Sequence, residues 1–348
     1  MKSILINTPD ISILGGVANH YKGLKSYWTQ SVKYNFVGGR NGVPGPIMLL
    51  YDYIKFIIQC AFGNFDVILL NPSLGKTAIK RDALFLKISK LFKIKTVVFF
   101  HGWSGDIVTQ YNLDAKQFVK NFNKSDKILV LANSFKTDLI NWGITCPINL
   151  TTTKVNDELI SEFNLEDKKW NQNILFLTRI ETYKGIFIVL EAYVQIKKKC
   201  PGSSLTIAGD GSKMKLAREF VVSNSLKDVS FLGNISGNRL INAFSNASVY
   251  VLPSYSEGMP TSVLEAMAFG IPIISRPVGG LVDFFKEEEM GHLIESLQPK
   301  EYVEKAIQLL ENHEENKAIG KYNHEYAKEN FMASKVALKI EKQLSELI

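Results

Sequence analysis

The chain has 348 residues, 46% of them hydrophobic, and a formal net charge of +7. That length accommodates two domains of ordinary size, and that hydrophobicity excludes a disordered chain. Three cysteines (Cys60, Cys146, Cys200) make no disulfide framework and predict a reducing compartment, and no uncharged apolar run reaches the roughly 18 residues of a membrane span.

The N-terminal run through Ser3-Ile4-Leu5-Ile6-Asn7 reads as a first strand and is too short for a signal peptide. Glycines come next in Ile13-Leu14-Gly15-Gly16-Val17, ahead of a helical pattern. Gly15 and Gly16 either let backbone amides approach a phosphate without a Cβ in the way or simply turn the chain from strand to helix. Further strands are predicted at Val67–Leu70, Thr96–Phe100 and Ile128–Leu131. Such short continuous apolar runs fit strands covered on both faces. His101 closes the strand at Thr96–Phe100 and is succeeded by Gly102 and Trp103, so it stands where open α/β sheets meet ligands.

Charge is unevenly shared. Residues 1–150 contain eighteen Lys and Arg against eight Asp and no Glu, a net charge of +10, which leaves −3 for the remainder. A basic first domain predicts an acidic partner surface. Within it Lys76–Lys93 reads as an amphipathic helix. Leu84, Phe85, Ile88, Leu91 and Phe92 are expected on one side, with Lys76, Lys80, Lys87, Lys90 and Lys93 mostly on the other. That face either rests on anionic lipid headgroups or is the solvated outside of a sheet-packing helix. The apolar segment Ile47–Phe62, interrupted by Asp52 and Lys55, is a core helix or a second surface-seeking one. No nucleic-acid motif accompanies the charge.

The polar stretch Thr151–Trp170 reads as a linker, and the βα alternation then resumes. Strands are predicted at Ile174–Leu177, Leu205–Ala208, Val229–Leu232, Val249–Leu252 and Ile271–Ser275. The first ends at Arg179-Ile-Glu-Thr-Tyr-Lys184-Gly185, which puts two cations at the carboxyl end of a parallel strand, where they can neutralise a departing diphosphate. The second ends in the turn Gly209-Asp210-Gly211. The fourth runs into Ser254-Tyr255-Ser256-Glu257-Gly258-Met259-Pro260-Thr261-Ser262-Val263-Leu264-Glu265, a loop and then a helix start. Free amides at that helix start suit a phosphate, and Glu257 and Glu265 flank it. A nucleotide-sugar presents sugar, diphosphate and ribose in matching order. Ser262 with Glu265 also reads as a capping box, which would make Glu265 structural.

Arg179 with Lys184, Gly209-Asp210-Gly211, Glu257 with Glu265 and Gly279-Gly280 together resemble the retaining glycosyltransferases of family 4, of the group 1 type found in polysaccharide and O-antigen synthesis. The likeness in order and spacing covers about the last half of the chain. It implies an α/β GT-B fold: two doubly wound Rossmann-like domains facing across a cleft. The expected limits are an acceptor-side domain at 1–155, a linker at 156–172, a nucleotide-sugar domain at 173–330, and a C-terminal helix at 331–348 that crosses back to the first domain. The chain departs from the common family pattern twice. Met259-Pro260 stands where many members carry Phe-Gly, and Leu281-Val282-Asp283 comes after the paired glycines where a segment ending in Glu is commoner.

The resemblance implies these roles. Arg179 and Lys184 stabilise the leaving diphosphate, helped by amides at Gly15, Gly16 and Ser262 and by the turn at Gly209. Glu257 and the amides of Gly258 and Met259 hold donor-sugar hydroxyls, Glu265 holds the ribose, and His101 contacts the donor sugar or phosphate. No metal motif of the Asp-x-Asp type is present, so metal independence is expected, with no cofactor beyond the co-substrate. The expected donor is a UDP-sugar, slightly ahead of a GDP-sugar. The expected acceptor is a glycan or a lipid-diphosphate-linked oligosaccharide, reached from the cytoplasm at the inner face of the membrane. A sugar-nucleotide epimerase of the same architecture and a non-catalytic nucleotide-sugar-binding scaffold are the competing classes.

Overall fold

In the computed structural model, which describes residues 2–13, 15–39 and 43–348, the chain divides into two units. The first contains residues 1–154 and the C-terminal Ala333–Ile348, and the second contains Val155–Met332.

The first unit runs β1 (Ser3–Thr8), α1 (Gly16–Leu24), β2 (Ser31–Phe36), α2 (Gly45–Phe62), β3 (Val67–Leu70), α3 (Lys76–Leu91), β4 (Lys95–Phe99), α4 (Gly105–Leu113), α5 (Lys116–Phe122), β5 (Lys127–Val130), α6 (Asn133–Trp142) and β6 (Ile148–Leu150). All six strands are parallel, in the order β2-β1-β3-β4-β5-β6. The chain steps outward from β1 to β2 and then returns over β1 to β3. Right-handed crossovers therefore put α1 on one face of the sheet and α2 and α3 together on the other. The central strands are wholly apolar and buried at Val67–Leu70 and Val97–Phe99, because both faces are covered.

The second unit runs β7 (Asn173–Leu177), α7 (Ile186–Lys199), β8 (Ser204–Ala208), α8 (Met214–Ser223), β9 (Val229–Gly233), α9 (Asn238–Ser245), β10 (Val249–Leu252), α10 (Thr261–Ala268), β11 (Ile273–Ser275), β12 (Gly291–Leu293), α11 (Pro299–Glu311) and α12 (His313–Asn330). Its six parallel strands are ordered β12-β11-β10-β7-β8-β9. The direction of winding reverses between β7 and β10. The carboxyl ends of those two strands therefore frame a topological switch point, the usual ligand crevice of an open α/β sheet.

The last helix, α13 (Ala333–Ser345), returns to the first unit and packs on α1. Its anchor is Glu341, buried, whose carboxylate accepts from the backbone N–H groups of Thr29 and Gln30 at 2.8 Å each and from Thr29 Oγ1 at 2.7 Å. Lys127 Nζ adds bonds to the Gln343 carbonyl and to Glu346, both at 2.7 Å.

The stretch expected as a linker, 156–172, is instead part of the second unit. Phe163 packs on Phe269 with ring centroids 4.8 Å apart, and Trp170 closes against Gly320. Lys168 is buried, reaches toward the carbonyls of Phe244 and Ser245, and has its pKa pushed down by burial to about 7. A polar sequence hid these three anchors. The helix at 76–91 also departs from expectation. Leu84 and Leu91 are exposed on the same side as Lys76, Lys80 and Lys87, while Phe85 and Ile88 are buried.

Candidate functional site

The site of the second unit is built where β7 and β10 end. The loop after β7 carries Arg179 and closes in a tight turn at Thr182–Lys184 before α7. Gly185 sits at φ +83°, and a Cβ there would lie 2.5 Å from the Pro253 carbonyl oxygen, so only glycine allows the two loops to meet. They are stitched by the Tyr255 N–H donating to the Tyr183 carbonyl at 2.8 Å. The side chains then pair. Lys184 Nζ donates to Glu257 Oε1 at 2.5 Å, and Ser254 Oγ donates to the same oxygen at 2.7 Å. Both charged side chains are largely withdrawn from solvent, 9% and 12% exposed. The pair therefore feels a lower dielectric than a surface salt bridge would.

Arg179 is exposed, with its guanidinium 5.7 Å from the Tyr183 ring, and Lys184 Nζ lies 5.4 Å from that ring. Both predicted cations thus lie near one aromatic ring, Tyr183. The loop after β8 packs against the same segment. Gly209 lies at φ +123°, and a Cβ on it would come within 1.9 Å of the Thr178 carbonyl oxygen. The Ile180 N–H donates to the Asp210 carbonyl, and the Glu181 carboxylate accepts from the Ser212 N–H and Oγ at 2.8 and 2.6 Å. The two Ser212 bonds lower the Glu181 pKa.

α10 begins at Thr261 with Pro260 as its N-cap and no side-chain capping bond. Ser262 therefore lies inside the helix, and the capping-box alternative for Ser262 and Glu265 does not describe this turn. Ser262 Oγ instead lies 2.6 Å from the hydroxyl of buried Tyr250, which also donates to the Leu177 carbonyl at 2.9 Å. The Tyr250 pKa is pushed far up by burial and, further, by the charges of Glu257 and Glu265. One buried phenol thus senses both carboxylates. Met259 is buried, and the Gly258 carbonyl accepts from the Gly280 N–H at 2.8 Å. Gly279, at φ +56°, has room for no Cβ against that same carbonyl. The paired glycines therefore brace the loop that carries Glu257.

Arg179, Lys184, Gly209, Glu257, Gly258, Met259, Ser262 and Glu265 are all carried by loops and a helix start at the carboxyl edge of the second sheet. Sequence reading missed Tyr183, Ser254, Glu181 and Tyr250, which hold these groups in place. Tyr183 was within reach, since it lies between the two cations in sequence.

The remaining predicted residues belong to the first unit. Gly15 precedes α1 and Gly16 opens it, and a Cβ on either would meet nothing within 4 Å. Leu14 beside them lies outside the described residues. His101, half-buried, comes just after β4 and its Nε2 is 3.0 Å from Asn71 Oδ1, at the end of β3. Asn71 also accepts from the Tyr21 hydroxyl and donates to the Asn7 carbonyl at 2.8 Å, so the His101 proton is assigned to Nε2. Phe99 and His20 pack on the imidazole, with ring centroids 3.7 and 5.1 Å away, and burial pushes its pKa down to about 3. His101 is a neutral hydrogen-bonding group near pH 7, not a cation for a phosphate. Asn71 shows the signal that picked out His101, a polar residue ending a buried strand, and was overlooked.

Two parallel six-stranded sheets with ligand-type crevices define an α/β protein of the two-domain Rossmann-like kind, and comparison with solved structures identifies the fold as GT-B. Residues 157–326 match the family described as glycosyl transferases group 1. Among curated proteins, an uncharacterized glycosyltransferase of Methanocaldococcus jannaschii (MJ1178) is 28% identical over 73% of this chain and 69% of its own length. The amylovoran biosynthesis glycosyltransferase AmsK of Erwinia amylovora is 26% identical over 60% of this chain and 53% of its own. Of solved structures, Anabaena Alr3699/HepE in complex with UDP and glucose superposes with a TM-score of 0.73 at 15% identity, over 99% of this chain and all of that one. Over its second half the chain is thus similar to the group 1 glycosyltransferases.

Proposed function

We propose that this protein is a retaining, metal-independent glycosyltransferase that moves a hexose-type sugar from a nucleotide-sugar to a glycan or lipid-linked oligosaccharide in surface polysaccharide synthesis. The observation that carries the reading is the Lys184–Glu257 pair at the switch point, with Arg179 beside it and α10 starting next to it. A diphosphate placed there would meet two cations and a helix N-terminus, and the charge that develops on the leaving group would be neutralised without a metal. Glu257 would then face the sugar and Glu265 the ribose. A UDP-sugar is the favoured donor, supported by the UDP and glucose of the Alr3699/HepE complex. A polysaccharide acceptor is supported by the role named for AmsK. In this reading the chain works in the cytoplasm at the inner face of the membrane.

The test is a panel of UDP- and GDP-sugars screened first for thermal stabilisation, since a ligand of the folded state raises apparent stability by mass action. The stabilising donor is then incubated with lipid-diphosphate-linked oligosaccharides, with and without EDTA, and the anomeric configuration of the product is read by NMR. Stabilisation by a UDP-sugar and an EDTA-resistant product of unchanged configuration are expected. Inversion would remove the retaining assignment. Conversion of the donor alone into an epimer would replace transfer with epimerisation.

A further inference from the structure

Helix α2 is built the wrong way round for water. Met48, Asp52, Phe56 and Cys60 recur every fourth residue and face the interior of the first unit. The opposite arc carries Ile47, Leu50, Tyr51, Ile54, Ile57, Ile58, Ala61 and Phe62, all exposed. At 100° per residue these eight fill an arc of about 140° without one charged or polar aliphatic member. Phe62 is 85% exposed, Leu50 61% and Ile54 50%. A stripe of this length exceeds scattered surface apolars and marks a surface that something covers.

The neighbouring helix says what. α3 lies on the same face of the sheet and packs on α2 through Phe85, which meets Tyr53 and Phe56 at 4.8 and 4.9 Å. Its own exposed stripe is Lys76, Lys80, Leu84, Lys87 and Leu91. Neither helix offers an exposed carboxylate. Asp52 is buried and accepts from the Gly38 N–H at 2.8 Å, and Asp82 is buried against Arg81 at 2.6 Å. An apolar ridge flanked by lysines, with aromatic Tyr51 and Phe62 on it, complements the boundary between acyl chains and anionic headgroups. α2 is long and apolar enough to span a bilayer, but its buried face is committed to the unit's core, so the helix can lie only along a surface.

We propose that the exposed face of α2, with the α3 lysines beside it, is a docking surface for an anionic lipid bilayer, into which Leu50, Ile54, Ile58 and Phe62 insert. The inference deepens the membrane part of the proposed function but does not depend on sugar transfer, because it is read on the protein without donor or acceptor.

The experiment is flotation of the full chain with vesicles of phosphatidylcholine, alone or mixed with phosphatidylglycerol, at low and high salt. The wild type should float with the mixed vesicles at low salt and partly resist high salt. The variant Leu50→Gln/Ile54→Gln/Ile58→Gln changes only exposed positions, and unchanged far-UV circular dichroism will show that it folds. Its vesicle partition should fall by about 10³-fold, since each of the three inserted aliphatic side chains contributes about tenfold or more. Lys80→Gln with Lys87→Gln should weaken low-salt binding by about 30-fold and flatten its salt dependence. Equal flotation of the triple variant and the wild type would overturn the proposal, as would a wild type that ignores mixed vesicles. A concentration-dependent dimer in sedimentation, broken by the triple variant and unaccompanied by vesicle binding, would assign the face to a second copy of the chain. A donor-stabilised protein that fails to float would sink the docking surface alone and leave the transferase reading standing.

Discussion

Lys184 and Glu257 lie 73 positions apart in sequence and form a 2.5 Å ion pair that ties the loop after β7 to the loop after β10. Both side chains are nearly buried, so removing one partner leaves a charge uncompensated. Glu257→Gln and Lys184→Met are each expected to destabilise the fold by about 3–5 kcal/mol, and the double variant by much less than their sum. Urea unfolding of the three proteins measures this. Turnover separates structure from chemistry, because the double variant should regain stability and stay inactive. A double variant that regains turnover would make the pair a structural clasp only.

Arg179 and Glu265 permit a cleaner experiment, since neither is deeply buried. Arg179→Ala should leave stability within about 0.5 kcal/mol and lower turnover by about 10²–10³, the usual cost of one electrostatic donor to a developing charge. Glu265→Gln keeps the size of the side chain and one accepting oxygen, and should likewise melt close to the wild type. Donor affinity, measured by titration calorimetry, should fall. Unchanged affinity would remove Glu265 from the ribose position.

Much of this site was legible because its residues stand at strand ends. A buried parallel strand is a continuous apolar run, and the sheet positions the residues just beyond it. Three strands escaped the same reading, β2, β6 and β12, and each is the outer strand of its sheet. An edge strand is covered on fewer sides, so β2 can read Ser-Val-Lys-Tyr-Asn-Phe and β6 and β12 can shrink to three residues. The apparent capping box failed for a different reason. Pro260 ends the preceding loop two residues earlier than the Ser262 pattern suggested, and spacing alone does not reveal where a helix starts. The α2 segment was ambiguous because composition records how apolar a helix is and not which side of it the fold covers.

The glycines make opposite predictions. Gly209 has φ +123° and no room for a Cβ against the Thr178 carbonyl oxygen, so Gly209→Ala should cost more than about 1 kcal/mol, from backbone strain and the clash together. Gly16 has open space where a Cβ would stand, so Gly16→Ala should fold as well as the wild type. Thermal melts decide the first. The second then becomes a test of ligand approach, since a lower donor affinity in a normally stable Gly16→Ala protein would show that something other than the fold needs the space.

His101 gives the fold a pH dependence of known sign. Burial lowers its folded pKa to about 3, against the ordinary value of 6.5. Between those values the unfolded chain binds the proton and the folded chain does not. Its contribution is therefore complete above about pH 6.5 and is lost as pH falls toward 3, at about 1.4 kcal/mol per pH unit. His20, packed on His101, is also pushed down, first by burial and then by the charges of His101 and Lys154, and steepens the same slope. His101→Gln keeps an amide that can donate to Asn71 and removes one titrating group. Urea midpoints at pH 7 and pH 5 should then lie closer together than in the wild type, by the equivalent of about 2 kcal/mol. Identical pH profiles for the two proteins would mean that His101 titrates in the folded chain as it does in the unfolded one, and that burial does not hold it neutral.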